Sequence, residues 1–253
     1  TILDRPRAEV EPQGVRAGGF LLFPSLTLEE EYNDNIFAAP NNEEDDFVTH
    51  VQPNLSVESQ WANHALNFRA GSDAAFFADN DDENYVDFNV GFDGRYDISR
   101  NDFLFAGASF QDLHEDRGSP DAVGAAEEPT EYDLFSGFTG GEAKFNRVTT
   151  RLELSADRYD YDDVGVVGGG TVDNDDRDRD IAEARARVGY EIQPRFSAFV
   201  EGAYNVRSYD DEINSGFDRD SDGYEAVVGT AFDLTGITFG EVFVGYRSQS
   251  YDD

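Results

Sequence analysis

Residues 180–211 alternate apolar and polar side chains over two stretches of ten or more residues, with only Gln193, Pro194 and Arg195 between them. Ala182, Ala184, Ala186, Val188, Tyr190 and Ile192 fall on one face, and Glu183, Arg185, Arg187 and Glu191 on the other. Phe196, Ala198, Val200, Gly202, Tyr204 and Val206 then alternate with Ser197, Glu201, Asn205 and Arg207, interrupted only by Phe199. A period of two belongs to the β-strand, whose successive side chains point to opposite faces. Two such stretches across a tight turn make a β-hairpin, with strands about twice the usual globular length of about 5–6 residues.

The same unit recurs along the chain. Alternation predicts strands over 20–32, 47–58, 66–73, 86–98, 103–114, 132–145, 148–157, 180–192, 196–207, 224–233 and 237–251, about eleven in all. Pro24 inside the first of them argues for an edge position. Short connections at 61–64, 99–102, 145–147, 193–195 and 234–236 are neutral or basic, whereas the long ones are acidic, as in Asn41-Asn42-Glu43-Glu44-Asp45-Asp46 and Asp79-Asn80-Asp81-Asp82-Glu83. Odd and even connections therefore lie at opposite ends of one antiparallel sheet, a hairpin repeat of about 40–50 residues. The glycine-rich stretch 165–170 reads as flexible. Residues 1–19, with Arg5-Pro6-Arg7, Pro12 and no strand or helix period, read as an extended N-terminal arm preceding a β domain at 20–253.

A long meander must deal with its two edges, and closure into a barrel removes them. Alternation gives one apolar and one charged face without saying which points outward. Three features favour apolar outward. The strands match the ~9–11 residues that cross a bilayer at a tilt. Aromatic residues near strand ends (Phe20, Phe23, Tyr32, Trp61, Tyr85, Tyr96, Tyr159, Tyr190, Tyr209) resemble interface girdles. Short turns alternate with long polar loops. The expected fold class is thus all-β, an antiparallel up-and-down transmembrane β-barrel with about eleven strands in this chain and more in the complete protein. The competing soluble acidic β-sandwich would fold in plain buffer without detergent.

Composition narrows the partners. Fifty-four Asp and Glu against nineteen Lys and Arg give a net charge of −35, the wrong sign for nucleic acid. There is no cysteine, hence no disulfide framework and no thiolate metal site. An aromatic content of 13% sets the chain apart from a disordered acidic segment. A start at Thr1 without a leader pattern is read as a mature form.

Several stretches carry a family likeness: Arg5-Pro6-Arg7, Glu11-Pro12, Gly14-Val-Arg-Ala-Gly-Gly-Phe-Leu-Leu-Phe-Pro24, Glu31-Tyr-Asn-Asp-Asn-Ile-Phe37, Glu128-Pro-Thr-Glu-Tyr132, Asp218-Arg-Asp-Ser-Asp-Gly-Tyr-Glu225 and Thr238-Phe-Gly-Glu-Val-Phe-Val-Gly-Tyr-Arg247. In these the chain resembles the "putative β-barrel porin 2" family over most of its length. The resemblance implies a bacterial outer-membrane barrel of porin or channel type, accessory to exopolysaccharide or capsule export, with the arm in the periplasm and the acidic loops outside the cell. It implies lipid and lipopolysaccharide as surroundings, polysaccharide or small solutes as cargo, and homo-oligomers as an expectation. Family barrels finish on a strand with a terminal aromatic residue, whereas this chain stops at Tyr251-Asp252-Asp253, so a further C-terminal portion is expected.

Chemistry-bearing residues are sparse. His50, His64 and His114 lie on a polar strand face, in a turn and at an acidic strand end, and none sits in a recognisable nucleophile motif; no catalysis and no required cofactor are expected. Asp218-Arg-Asp-Ser-Asp-Gly223 opens like a calcium loop, but Gly229 stands where a bidentate Glu is needed. Asp218, Asp220, Asp222 and Glu225 remain as a weak Ca2+ candidate. The charged face supplies the main prediction, a lumen lined by Arg69, Arg95, Arg151, Glu153, Glu183, Arg185, Arg187, Glu201, Arg207 and Arg247. These residues would pair across neighbouring strands and screen solutes. The alternative is a structural surface-assembly protein whose acidic loops bind divalent cations and neighbouring molecules.

Overall fold

A computed structural model describes residues 13–211, 219–233 and 238–252. Most of the predicted N-terminal arm, residues 1–12, lies outside these, as do residues 212–218 and 234–237.

One antiparallel sheet takes in nearly all regular structure. In chain order its strands are β1 (Val15–Ala17), β2 (Phe20–Asn33), β3 (Asp46–Ser59), β4 (Ala65–Phe77), β5 (Tyr85–Asp97), β6 (Phe103–His114), β7 (Glu131–Phe145), β8 (Val148–Tyr161), β11 (Arg179–Gln193), β12 (Phe196–Tyr209), β13 (Ser221–Asp233) and β14 (Phe239–Tyr251). Between β8 and β11 the ribbon β9 (Val164–Gly165) and β10 (Thr171–Val172) stands apart. Each strand of the main sheet hydrogen-bonds to its neighbour in sequence, so the topology is up-and-down throughout. Apart from the three-residue β1, the strands run 12 to 15 residues, longer than the bilayer crossing alone demands. The last residues of the predicted arm form the short strand β1, which folds back onto β2, pairing Val15 with Leu22 and Ala17 with Phe20 across Gly18 and Gly19. Pro24 lies beyond β1, where β2 has no partner on that side among the described residues. Pro53 sits inside the sheet, and the β3–β4 pairing skips it, running from Val51–Ala74 to Asn54–Gly71. A proline has no N–H to give to that ladder.

The sidedness follows from exposure. Along β11, Ala182, Ala184, Ala186, Val188 and Tyr190 are exposed, while Glu183, Arg185 and Arg187 are half-buried. Along β12, Val200, Tyr204 and Val206 are exposed, while Phe199 and Ala203 are buried. Both faces belong to one layer, so the charged face loses solvent contact only because the sheet curls around it. Arg187 of β11 confirms the curl by hydrogen-bonding Glu241 of β14, three inter-strand spacings or about 14 Å away on a flat sheet. The exposed face carries large apolar side chains on every long strand, Leu28, Phe47, Phe68, Phe92, Leu104, Phe135, Leu154 and Val244 among them. A soluble β-sandwich would bury that face between two sheets; here it faces outward. Within the described residues β2 and β14 are not paired with each other.

Not all the aromatic strand ends form a girdle. Tyr32, Trp61, Tyr96 and Tyr190 are exposed. Tyr85, Tyr159 and Tyr209 share the parity of Asp87, Glu153 and Arg207 and turn to the inner side, half-buried. The acidic loops are layered as well. The glycine-rich stretch is a turn in the β9–β10 ribbon, with Gly168, Gly169 and Gly170 at φ +98°, +91° and +123°, a region open to glycine at little cost. The ribbon packs on the loop after β6, where Glu127 and Val167 donate backbone hydrogen bonds to Gly165 and Ala125, both 2.8 Å. Arg117 reaches from that loop to Glu83, whose side chain is only 5% exposed.

Candidate functional site

The inner face of β8 and β11 to β14 gathers most of the predicted lumen set. Alternation places one charged side chain every second residue, and the strand register brings them level: Arg185 stands opposite Glu153, Arg187 opposite Glu201, and Glu225 opposite Arg247. The ion pairs form a continuous chain. Arg247 binds Glu225 at 2.9 Å, Glu225 lies 3.9 Å from Arg185, Arg185 contacts Glu183 at 2.9 Å and Glu201 at 2.7 Å, and Glu201 lies 3.5 Å from Arg187, which holds Glu241. Arg151, directly opposite Arg187, avoids the like charge by turning to Glu153 at 2.8 Å and Glu142 at 3.8 Å. The two guanidinium groups also cover rings, Arg187 over Phe199 at 3.6 Å and Arg151 over Phe105 at 4.4 Å. Towards the short turns this track opens into a cavity of about 720 Å³ lined by Lys144, Arg151, Arg187, Arg195, Phe196 and Phe232.

The remaining predicted residues lie elsewhere. Arg69 pairs with Asp93 at 2.7 Å and Arg95 with Asp97 at 2.8 Å, a separate patch on β4 and β5. Arg207 is on the inner face near the acidic loops and makes no ion pair among the described residues. Glu142, Glu191, Glu225 and Glu241 are partners that the sequence reading left out of the lumen set. Their parity with Arg151, Arg187 and Arg247 was available as a signal.

Of the calcium candidates, the described Asp220, Asp222 and Glu225 do not converge. Asp218 lies outside the described residues. Ser221–Asp233 is a strand rather than a loop, so Asp222 and Glu225, three apart, point to opposite faces, and Glu225 is taken up by Arg247. The Asp220 carboxylate accepts from Ser208 Oγ at 3.0 Å and from the Tyr209 N–H at 2.6 Å. A different acidic group converges instead: carboxylate oxygens of Asp163, Asp173 and Asp175 lie within 4.8 Å of one another in the loop after β8. The neighbouring Asp173 charge raises the Asp175 carboxyl.

The histidines are held by carboxylates. His50 Nδ1 is 3.1 Å from Asp73 and His114 Nδ1 2.9 Å from Asp87, while His64 exchanges hydrogen bonds with Asp97 in its turn, at 2.8 and 3.0 Å. Among the loop groups, burial pushes the Asp178 carboxyl up to about 6, with help from the Asp160 and Asp210 charges. The Arg158 guanidinium holds Asp210 below the usual carboxylate range.

An up-and-down meander with an apolar outer face and a charged, half-buried inner face defines the class of outer-membrane-type β-barrels. The chain matches the family described as "Putative beta-barrel porin 2" over residues 7–253. It belongs to that family. No curated relative matches it. Among solved structures it is similar to the translocator domain of autotransporter NalP from Neisseria meningitidis, at 11% identity and a TM-score of 0.35, covering 92% of this chain and 84% of that one.

Proposed function

We propose that this protein is a channel-type barrel of the bacterial outer membrane, accessory to polysaccharide export, whose solute path runs along the arginine–carboxylate track of the inner face. The carrying observation is the inverted sidedness, Leu154 and Val200 outward and Arg151 and Glu201 inward, which suits lipid outside and water inside. The track holds six carboxylates (Glu142, Glu153, Glu183, Glu201, Glu225, Glu241) against four guanidinium groups (Arg151, Arg185, Arg187, Arg247), so cations are favoured. In this reading the arm is periplasmic, the acidic loops are extracellular, and no step is catalytic. Single-channel recording in planar bilayers tests it: discrete, cation-selective steps are expected, and folded protein that inserts without conducting would defeat the pore reading.

The converging Asp163, Asp173 and Asp175 carboxylates favour a second reading, a surface-assembly protein whose loops are bridged by Ca2+ to lipopolysaccharide or to neighbouring copies. Assembly and loop protease resistance that survive a chelator wash unchanged would remove it.

A further inference from the structure

At the loop end of the inner face, tyrosine rings and guanidinium groups interleave around a cavity of about 900 Å³. Tyr159, Arg179 and Tyr209 form one rung across β8, β11 and β12. The Arg179 guanidinium lies 4.0 Å from the Tyr159 ring centre, and Arg219 lies 4.6 Å from that of Tyr209. Tyr132 stacks on Tyr161 at 4.9 Å, and Arg177 covers Tyr161 at 4.0 Å.

The cations divide into two kinds. Arg177 is neutralised by Glu115, at 2.7 and 3.0 Å, and Arg219 sits 3.3 Å from Asp176. Arg179 has no carboxylate partner among the described residues; its Nη1 donates to the Arg177 carbonyl at 3.0 Å. Arg207 has none either, and among the described residues the buried Arg219 Nε has no hydrogen-bond partner. In a chain of 54 acids and 19 bases, two arginines of one cavity without an ion pair among the described residues stand out, although Asp116 and Asp121 also line it. They are close: Arg207 faces Ile181 one rung below Arg179–Tyr209, a diagonal neighbour at about 7–8 Å. That spacing lets one oxyanion accept from both guanidinium groups. The flat tyrosine faces beside them suit a ring with an apolar face.

We infer that this cavity binds an oxyanion carried on a cyclic body, such as an acidic sugar, through Arg179 and Arg207, with the ring against the tyrosines. The inference goes beyond the channel reading and is measured without conduction, so each can fail alone.

Calorimetric titration of the purified protein in detergent micelles tests it with three probes: trigalacturonate, neutral trigalactose and inorganic phosphate. Trigalacturonate is expected to bind with an affinity that falls as salt rises, and phosphate to compete more weakly. Arg207→Gln, which breaks no ion pair among the described residues, and Arg179→Gln should each weaken trigalacturonate by about tenfold or more. Arg69→Gln, on β4, should leave it unchanged. Equal binding of the neutral trimer, or unchanged affinity in Arg207→Gln, overturns the oxyanion site. Phosphate binding as tightly as trigalacturonate overturns the ring's part in it.

Discussion

Arg117 and Glu83 join two loops through a pair whose side chains are 13% and 5% exposed. Removing one member of a buried pair strands the other charge, at a cost of about 3–5 kcal/mol. Arg117→Ala should therefore open the loop layer and make 115–130 readily cleaved by trypsin-free proteolysis, while Arg117→Met with Glu83→Leu should restore resistance. Unchanged cleavage in the single variant would show that the pair does not hold the layer. Asp178, although 3.7 Å from Arg158, gives a pH dependence with the opposite sign to that of an acid whose carboxyl is held low. Its folded carboxyl is pushed up to about 6, so the folded state binds a proton more tightly than the unfolded one, and stability falls as pH rises from about 4 to 6. Below that window the effect vanishes; above it the ionised group costs up to about 3 kcal/mol of local stability. The Tyr161 N–H donates to Asp178 Oδ1 at 2.7 Å, so its amide exchange is the readout. Asp178→Asn should raise Tyr161 protection at pH 7.5 and leave it unchanged at pH 4. A gain of equal size at both values would exclude the titration.

The strand is the scale at which neighbours have opposite environments. Leu154 is exposed on the outer face at the middle of β8, and Ser155 beside it faces inward opposite Glu183. Leu154→Arg should cost about 2–4 kcal/mol in phospholipid vesicles, the penalty for a cation near the bilayer midplane, whereas Ser155→Arg gains a carboxylate opposite and should cost under about 1 kcal/mol. Urea unfolding of the vesicle-embedded variants distinguishes them, and equal costs would contradict the assigned sidedness. The strands themselves were legible: the alternation at 182–192 and 196–206 needs only a pleat, and β11 and β12 follow it. The inward turn of Tyr159 and Tyr209 was also legible from parity with Glu153 and Arg207. It was hidden because an aromatic residue at a strand end fits a girdle equally well.

At the scale of the molecule, the arginines matter through their sum. Each half-exposed pair contributes only about 0.2–1 kcal/mol, so Arg185→Ala should lower stability little. It leaves Glu183, Glu201 and Glu225 short of a shared cation, and reversal potentials in a KCl gradient should shift towards stronger cation selectivity. An unchanged potential would place the conducting path elsewhere. By itself the sequence determined the meander, the strand lengths and the separation into two faces and two ends, because these depend on period and on spacing along the chain. Only the tertiary structure decided which partners the charges take. Arg187 meets Glu241 across three strands, Arg117 meets Glu83 from another loop, and Arg179 and Arg207 remain without carboxylates among the described residues. Those outcomes depend on how far the sheet curls and how the loops stack, and a period of two carries no information about either.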